Sequence, residues 1–253
     1  MKGHDDFAAL ERERQAIVAA SRGKQGDPAV RDAATLIILD ETAPVPRILM
    51  GRRGAGHVFM PNRHVFPGGR VEEADLELAP RCPLSEQQVR RLAGGWDSTF
   101  SQESAAALPL AAIRETFEET GLLFGIPSTA SEPVPSEWRQ FAKAGLWPAV
   151  EWLTPVARAI TPEGAPRRFD ARFFCVSASR LSAIPDEFTP PTDEFDGVDW
   201  VSVDQLDARS IAPITRRILD EVLARLEKGT WLEASQPMPF FRIVDGAFAR
   251  DLI

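Results

Sequence analysis

The chain has 253 residues, 44% of them hydrophobic and 26% charged, with a formal net charge of −8 and a pI near 5.1. Such a chain affords a substantial core in one large domain with insertions, but lacks the basic footprint of a nucleic-acid-binding protein. A small anionic ligand would have to be met by local arginines or by a metal ion.

Residues 5–21 place Phe7, Leu10, Arg14, Ile17 and Val18 at helical spacing, which predicts an amphipathic N-terminal helix docked on the body or on a second subunit. This opening segment has no apolar core of signal-peptide type, and no run of eighteen apolar residues follows, so a cytoplasmic protein without a membrane partner is expected. Ala33 to Leu39 and Arg47 to Met50 read as two strands joined by a turn. Gly51 to Gly69 is dense in glycine, arginine and histidine and reads as loop. Its closing Pro67-Gly68-Gly69 is either a plain turn or one that lets backbone approach a phosphate.

Residues 76–109 read as an insertion, with a short helix from Ser85 to Leu92 capped by Ser85. Residues 126–136 form a surface connection, Ser136 to Leu146 a short helix, and residues 152–161 extended structure. A loop then delivers Arg167 and Arg168 to a buried strand from Ala171 to Ser177. An acidic loop from Glu187 to Asp196 leads into a strand from Val198 to Val203. Residues 212–227 carry Ile214, Ile218, Leu219, Val222 and Leu226 at helical spacing, and Phe240 to Val244 suggests an edge strand.

The informative stretch is Arg114-Glu115-Thr116-Phe117-Glu118-Glu119-Thr120-Gly121-Leu122. At about 100° per residue, Glu115, Glu118 and Glu119 share one side of a helix, with Leu110, Ile113, Phe117 and Phe124 opposite. Like charges at this spacing repel, and Arg114 offsets only one of them. The face is therefore either a solvated helix surface or a site for a hard divalent cation with all-oxygen ligands, Mg²⁺ or Mn²⁺. Cys82, Cys175 and the three histidines lack zinc-site spacing, and Cys175 reads as a small buried hydrophobe.

Gly69 together with Arg114 to Leu122 resembles the signature of Nudix hydrolases: Gly, five residues, Glu, seven residues, then Arg-Glu-apolar-any-Glu-Glu-any-Gly-apolar. The second half matches at every defined position except Thr116, where an aliphatic residue is usual. In the first half, five residues on from Gly69 lands on Asp75 in place of Glu, with Glu72 and Glu73 as nearby substitutes. Between Asp75 and Arg114 lie 38 residues rather than seven. This split box, with Phe59-Met60-Pro61, His64 to Gly69 and Arg168-Phe169-Asp170, is similar to the subgroup typified by peroxisomal coenzyme A diphosphatases.

The resemblance implies an α/β fold, a Nudix-type α/β/α sandwich with a mixed sheet. A helical extension over residues 1–30 would precede the domain over 31–253, with an insertion at about 76–109. It implies Mg²⁺ or Mn²⁺ held by Glu115, Glu118 and Glu119, with Arg114 positioning a carboxylate and Gly69 shaping the loop. The general base would be a box glutamate or an acid such as Asp193 or Glu194, whose alternative is a solvated loop. Arg167 and Arg168, or Arg52 and Arg53, have the chemistry to bind a substrate phosphate, and Gly68 sits beside them in the expected site. The expected partner is a nucleotide-derived small molecule: coenzyme A or its acyl derivative, ADP-ribose, or a dinucleotide such as NADH. A non-catalytic binding module of the same fold is the competing class, and the N-terminal helix and insertion offer surfaces for a homodimer.

Overall fold

Strand β1 (Val30–Asp40) sends Leu36 and Ile38 to one layer of the core and Ile37 and Leu39 to the other. A strand apolar on both faces belongs inside a sheet covered on both sides. In the computed structural model, which describes residues 6–21, 28–54, 63–93, 101–129 and 133–253, β1 lies within a nine-stranded mixed sheet. The other strands of the sheet are β2 (Arg47–Arg53), β3 (His64–Val65), β4 (Gly68–Arg70), β7 (Thr154–Ile160), β8 (Arg168–Ser177), β9 (Phe195–Ser202), β10 (Pro239–Val244) and β11 (Ala247–Leu252). The path runs β11-β10-β7-β8-β1-β2-β3, with β4 also on β1 and β9 also on β2. The β1–β8 and β7–β10 pairs are parallel and the remainder antiparallel. A separate antiparallel pair is formed by β5 (Gly125–Pro127) and β6 (Leu146–Pro148), with the short helix α5 (Arg139–Lys143) between them in sequence.

Helix α4 (Gln102–Thr120) covers one face, packing Leu108, Ala112 and Ile113 with Leu36, Ile38 and Phe174. Helix α6 (Pro213–Glu227) covers the other, with Ile218, Leu219 and Val222 against Ile37, Leu39 and Cys175. The mixed-sheet sandwich is thus as expected. Helix α1 (Asp6–Ser21) docks on this body, against α6 and β11. Both cysteines are buried, one in each core layer.

Several boundaries differ from the sequence reading. The helix that carries the acidic stretch starts at Gln102, so residues 102–109 belong to it rather than to the insertion. Pro109 lies inside it, which propensity disfavours, but Ala105, Ala106, Ala107 and Leu108 are fully buried and packing overrides propensity. It ends at Thr120, so Phe124 lies beyond it. Gly68 and Gly69 sit in strand β4, not in a loop, and β10 is an interior strand because β11, which was not anticipated, forms the edge. The Phe59-Met60-Pro61 run lies outside the described residues.

The insertion is fastened to the sheet through backbone carbonyls. Helices α2 (Glu73–Leu78) and α3 (Glu86–Ala93) occupy it, and Ser85 caps α3 by accepting from Gln88 N–H. The last carbonyls of α3 have no partners within the helix. Arg158 of β7 donates to the Ala93 carbonyl at 2.8 Å and Arg172 of β8 to that of Leu92 at 3.3 Å. Asp170 holds both arginines, at 2.6 Å from Arg158 and 3.2 Å from Arg172, so it acts in the scaffold.

Candidate active site

Arg114 is the centre around which the acidic groups collect. Its side chain is 2% exposed, and all five guanidinium N–H groups are used. Nε and Nη2 form a fork on Asp75, both at 2.9 Å; Nη1 donates to Glu115 and Glu118, each at 3.1 Å; Nη2 also reaches the Arg70 carbonyl. Burial disfavours a charged guanidinium, yet the Asp75 hydrogen bonds and the three surrounding carboxylates hold it firmly protonated. Burial pushes the Asp75 carboxyl up in turn, while the bidentate bond to Arg114 pulls against this.

Asp75 therefore has no oxygen to spare for a metal ion. Its second task is to accept from the Glu72 backbone N–H at 2.9 Å, which fixes the start of α2. Its bond to Arg114 brings the two halves of the split box together across 39 positions of sequence. Glu72 faces the cleft and pairs with Arg70. Thr116, the departure from the usual aliphatic residue, is wholly buried, and its hydroxyl is satisfied by the Ala112 carbonyl at 2.7 Å.

The acidic face is not a solvated surface. Glu119 is 1% exposed: Oε2 accepts from Gly68 N–H at 2.8 Å, and Oε1 is buried without a hydrogen-bond donor. Arg53 Nη2 stands 3.9 Å from that oxygen, too far to donate. Burial, reinforced by Glu115, raises the Glu119 carboxyl well above its ordinary range. Burial likewise pushes Glu115 up to about 7, Arg114 opposing and Glu118 and Glu194 adding to the rise. Glu118 is raised in the same way.

Strand β4 makes this approach feasible because it carries no side chain at two successive positions. A Cβ at Gly68 would stand 2.5 Å from the Ala34 carbonyl oxygen and 2.7 Å from Thr35 Cα. One at Gly69 would stand 2.3 Å from Glu115 Cδ. Gly69→Ala should therefore push the Glu115 carboxylate aside without disturbing the backbone. We expect activity to fall by about 100-fold, the cost of misplacing a reacting group by about 1 Å, with the thermal midpoint nearly unchanged. Parallel melts and rates check this, and an unaltered rate would show that Glu115 need not lie against β4.

Gly121 ends α4 in the left-handed conformation (φ 81°), where its missing Cβ leaves room for the Thr189 carbonyl. Thr192 donates through backbone and hydroxyl to the Glu118 carbonyl. These contacts pin the acidic loop over the helix end, placing Glu194 on the cleft wall; Asp193 is not among the lining residues.

The cleft has a volume of about 1030 Å³ and contains Gly68, Gly69, Arg114, Glu115, Glu118 and Glu194. Arg167 and Arg168 line it too, so the structure joins this loop to the acidic cluster. Arg52 is not among the lining residues and is exposed; Arg53, its neighbour, takes the position expected of it. An irregularity in the pairing of β2 with β9 falls between the two, so side-chain alternation read from the sequence could not have separated them. Residues of α1, among them Arg14 and Ile17, also line the cleft, which sequence spacing alone did not indicate.

The residues fit a hard divalent cation. The donors are carboxylate oxygens, and one is buried with no hydrogen-bond donor against it. Among the described residues no three acidic, histidine or cysteine side chains already converge as a cage. Arg114 draws Glu115 and Glu118 to itself, while Gly68 draws Glu119.

A split loop–helix box against a mixed sheet, with buried glutamates facing a cleft, defines the Nudix class of fold, and the comparisons with known proteins agree. A Nudix hydrolase from Alicyclobacillus acidocaldarius superposes with a TM-score of 0.54 at 24% identity, covering 79% of this chain and 84% of that one. In sequence, the chain is 33% identical to the acyl-coenzyme A diphosphatase NUDT19 of Gallus gallus, over 50% of this chain and 47% of the relative. It is 27% identical to the human protein of that name, over 62% and 53%. The chain spans about half the length of the curated relatives it matches. No protein-family model matches it. The chain thus resembles Nudix hydrolases of the coenzyme A diphosphatase kind. No helix among the described residues is long and apolar enough to cross a membrane.

Proposed function

We propose that this chain hydrolyses a diphosphate linkage in a nucleoside diphosphate joined to a second group, using Mg²⁺ or Mn²⁺, with coenzyme A or an acyl derivative as the first substrate to try. The observation that carries the reading is the buried Glu119 oxygen without a donor, behind Glu115 and Glu118, which line an arginine-bearing cleft. The likeness to acyl-coenzyme A diphosphatases favours the substrate.

Glu115, Glu118 and Glu119 would hold the cation. When bound, it supplies positive charge against the diphosphate and makes water more acidic. Arg114 keeps Glu115 and Glu118 within reach of one another, and Gly68 N–H orients Glu119 by holding its other oxygen. Arg53 faces the same space and offsets charge on the phosphate nearest β2. Arg167 and Arg168 receive the more distant phosphate or sugar. Glu194, exposed and facing the carboxylates across the cleft, accepts the proton of the attacking water.

A panel of diphosphate compounds, assayed with and without Mg²⁺ and with products identified, tests the reading. Retained ligand binding with no turnover of any member would favour the binding-module alternative. Glu118→Gln keeps the shape and removes the charge. It should lower kcat by about 100-fold or more with the fold intact, and a near-normal rate would remove Glu118 from the metal site.

A further inference from the structure

We propose that Arg91 of α3 and Arg225 of α6 hold a small monovalent anion, chloride by its size and charge, where β7 separates from the segment that leads into β10. The separation follows from the sequence. Pro155, Pro237 and Pro239 have no N–H to give a ladder, and β10 pairs with β7 only further along, at Phe240 opposite Arg158 and Phe241 opposite Ala159. A bulge between Pro155 and Ala157 takes Val156 out of the pairing with β8 as well. Carbonyls on both segments are therefore left for side chains to satisfy.

Two arginines take them, one from each face of the sheet: α3 packs on α4, and α6 lies on the opposite face. Arg91 Nη2 donates to the Gln236 carbonyl and stands 3.5 Å from that of Pro155. Arg225 Nη2 donates to the Pro237 carbonyl at 2.7 Å and to that of Val156 at 3.1 Å. The two guanidiniums thus converge on the same two peptide segments. Arg158 and Arg172, which clasp the end of α3, share Asp170, but Arg91 and Arg225 form no ion pair among the described residues. Glu221, whose charge reaches Arg225, is bound to Arg250 at 2.8 Å.

Arg91 Nε and Arg225 Nη1 are both buried without an acceptor. Burial disfavours each guanidinium charge, and Arg225 adds to the effect at Arg91. Two buried charges of one sign are costly until a counter-charge joins them. The neighbouring carbonyl oxygens disfavour a multiply charged anion, and one free N–H from each arginine suits a single atom better than the several oxygens of a phosphate. A halide meets both conditions. Held there, it ties the box insertion, through α3, to α6 on the far side of the sheet.

Thermal melts at fixed ionic strength, with sodium gluconate exchanged for sodium chloride, test this. Chloride should raise the midpoint by about 3 °C along a saturating curve, because gluconate is too bulky to enter. Arg91→Gln keeps a donor for the Gln236 carbonyl and removes the charge, so its melting should no longer depend on chloride; Arg90→Gln, at the exposed neighbouring position, should respond as wild type does. Wild-type crystals soaked in sodium bromide should show an anomalous peak between Arg91 Nε and Arg225 Nη1, which stands in if Arg91→Gln does not fold. Equal midpoints in chloride and gluconate, a chloride response that survives in folded Arg91→Gln, or no bromide peak between the two arginines overturns the proposal.

Discussion

Glu119→Gln is expected to abolish hydrolysis while making the metal-free protein less sensitive to rising pH. The two effects have one cause. Glu119 is buried with one oxygen compensated by Gly68 and the other by nothing. Glutamine keeps an acceptor for the Gly68 N–H and removes the buried charge, but it no longer offers an anionic ligand. A loss of about 1000-fold in kcat/KM corresponds to about 4 kcal/mol of transition-state stabilisation, the scale expected when a metal ligand is lost.

The stability change has a sign fixed by proton linkage. The folded-state carboxyls of Glu119 and Glu115 are raised above 4.5, so the folded chain binds protons more tightly than the unfolded one. The stability this contributes is fully present below pH 4.5 and is lost as pH rises, through about 7 for Glu115. As pH rises the wild-type chain loses that contribution from both carboxyls and Glu119→Gln from only one, so the variant's stability relative to wild type should increase from pH 4.5 to pH 8. Mg²⁺ at pH 8 should raise the wild-type melting point and leave the variant nearly unmoved. Melts with and without Mg²⁺ at both pH values check this, and a variant whose stability relative to wild type does not increase between them would refute the account of an uncompensated buried charge.

Arg114→Ala should be the most damaging single substitution in the site. It removes five hydrogen bonds and leaves Asp75, fully buried, as an unpaired acid, with Glu115 and Glu118 no longer neutralised. Breaking one side of a buried ion pair costs about 3–5 kcal/mol, which in a chain of this size lowers the melting point by about 10 °C. Asp75→Asn in the Arg114→Ala background should recover part of the loss by removing the stranded charge, although activity stays absent. Thermal melts of the two variants settle the matter. A shift below about 2 °C for Arg114→Ala, or no recovery in the double variant, would mean that Asp75 and Arg114 do not depend on one another.

The same Asp75–Arg114 pair shows why the site was only partly legible from residue order. Spacing within nine residues placed Glu115, Glu118 and Glu119 on one helical face, and Gly121 marked that helix's end; both are local properties that the backbone period dictates. Asp75 could be found only by counting from Gly69. Its role as the buried anchor of Arg114, rather than a ligand, needed the fold that closes 38 intervening residues into a detour. Arg53 and Arg52 are chemically alike and adjacent, so only the path of β2 past Met50 tells which one faces the cleft.

The chain by itself determined the strands whose apolar residues alternate, the amphipathic α6, the acidic stretch with its glycine stop, and through these the resemblance to Nudix hydrolases. Local patterns of period 2 and 3.6 hold these features, and they survive whatever packs against them. Tertiary structure alone decided that the acidic face is buried, since burial depends on the Gly68–Gly69 strand having no side chains to keep Glu115 and Glu119 away. It alone decided that α1 lines the cleft and that Ala33, Ala171 and Ala159 lie opposite one another on β1, β8 and β7. The register of β1 on β8 is a relation between segments more than a hundred residues apart, and no single segment encodes it.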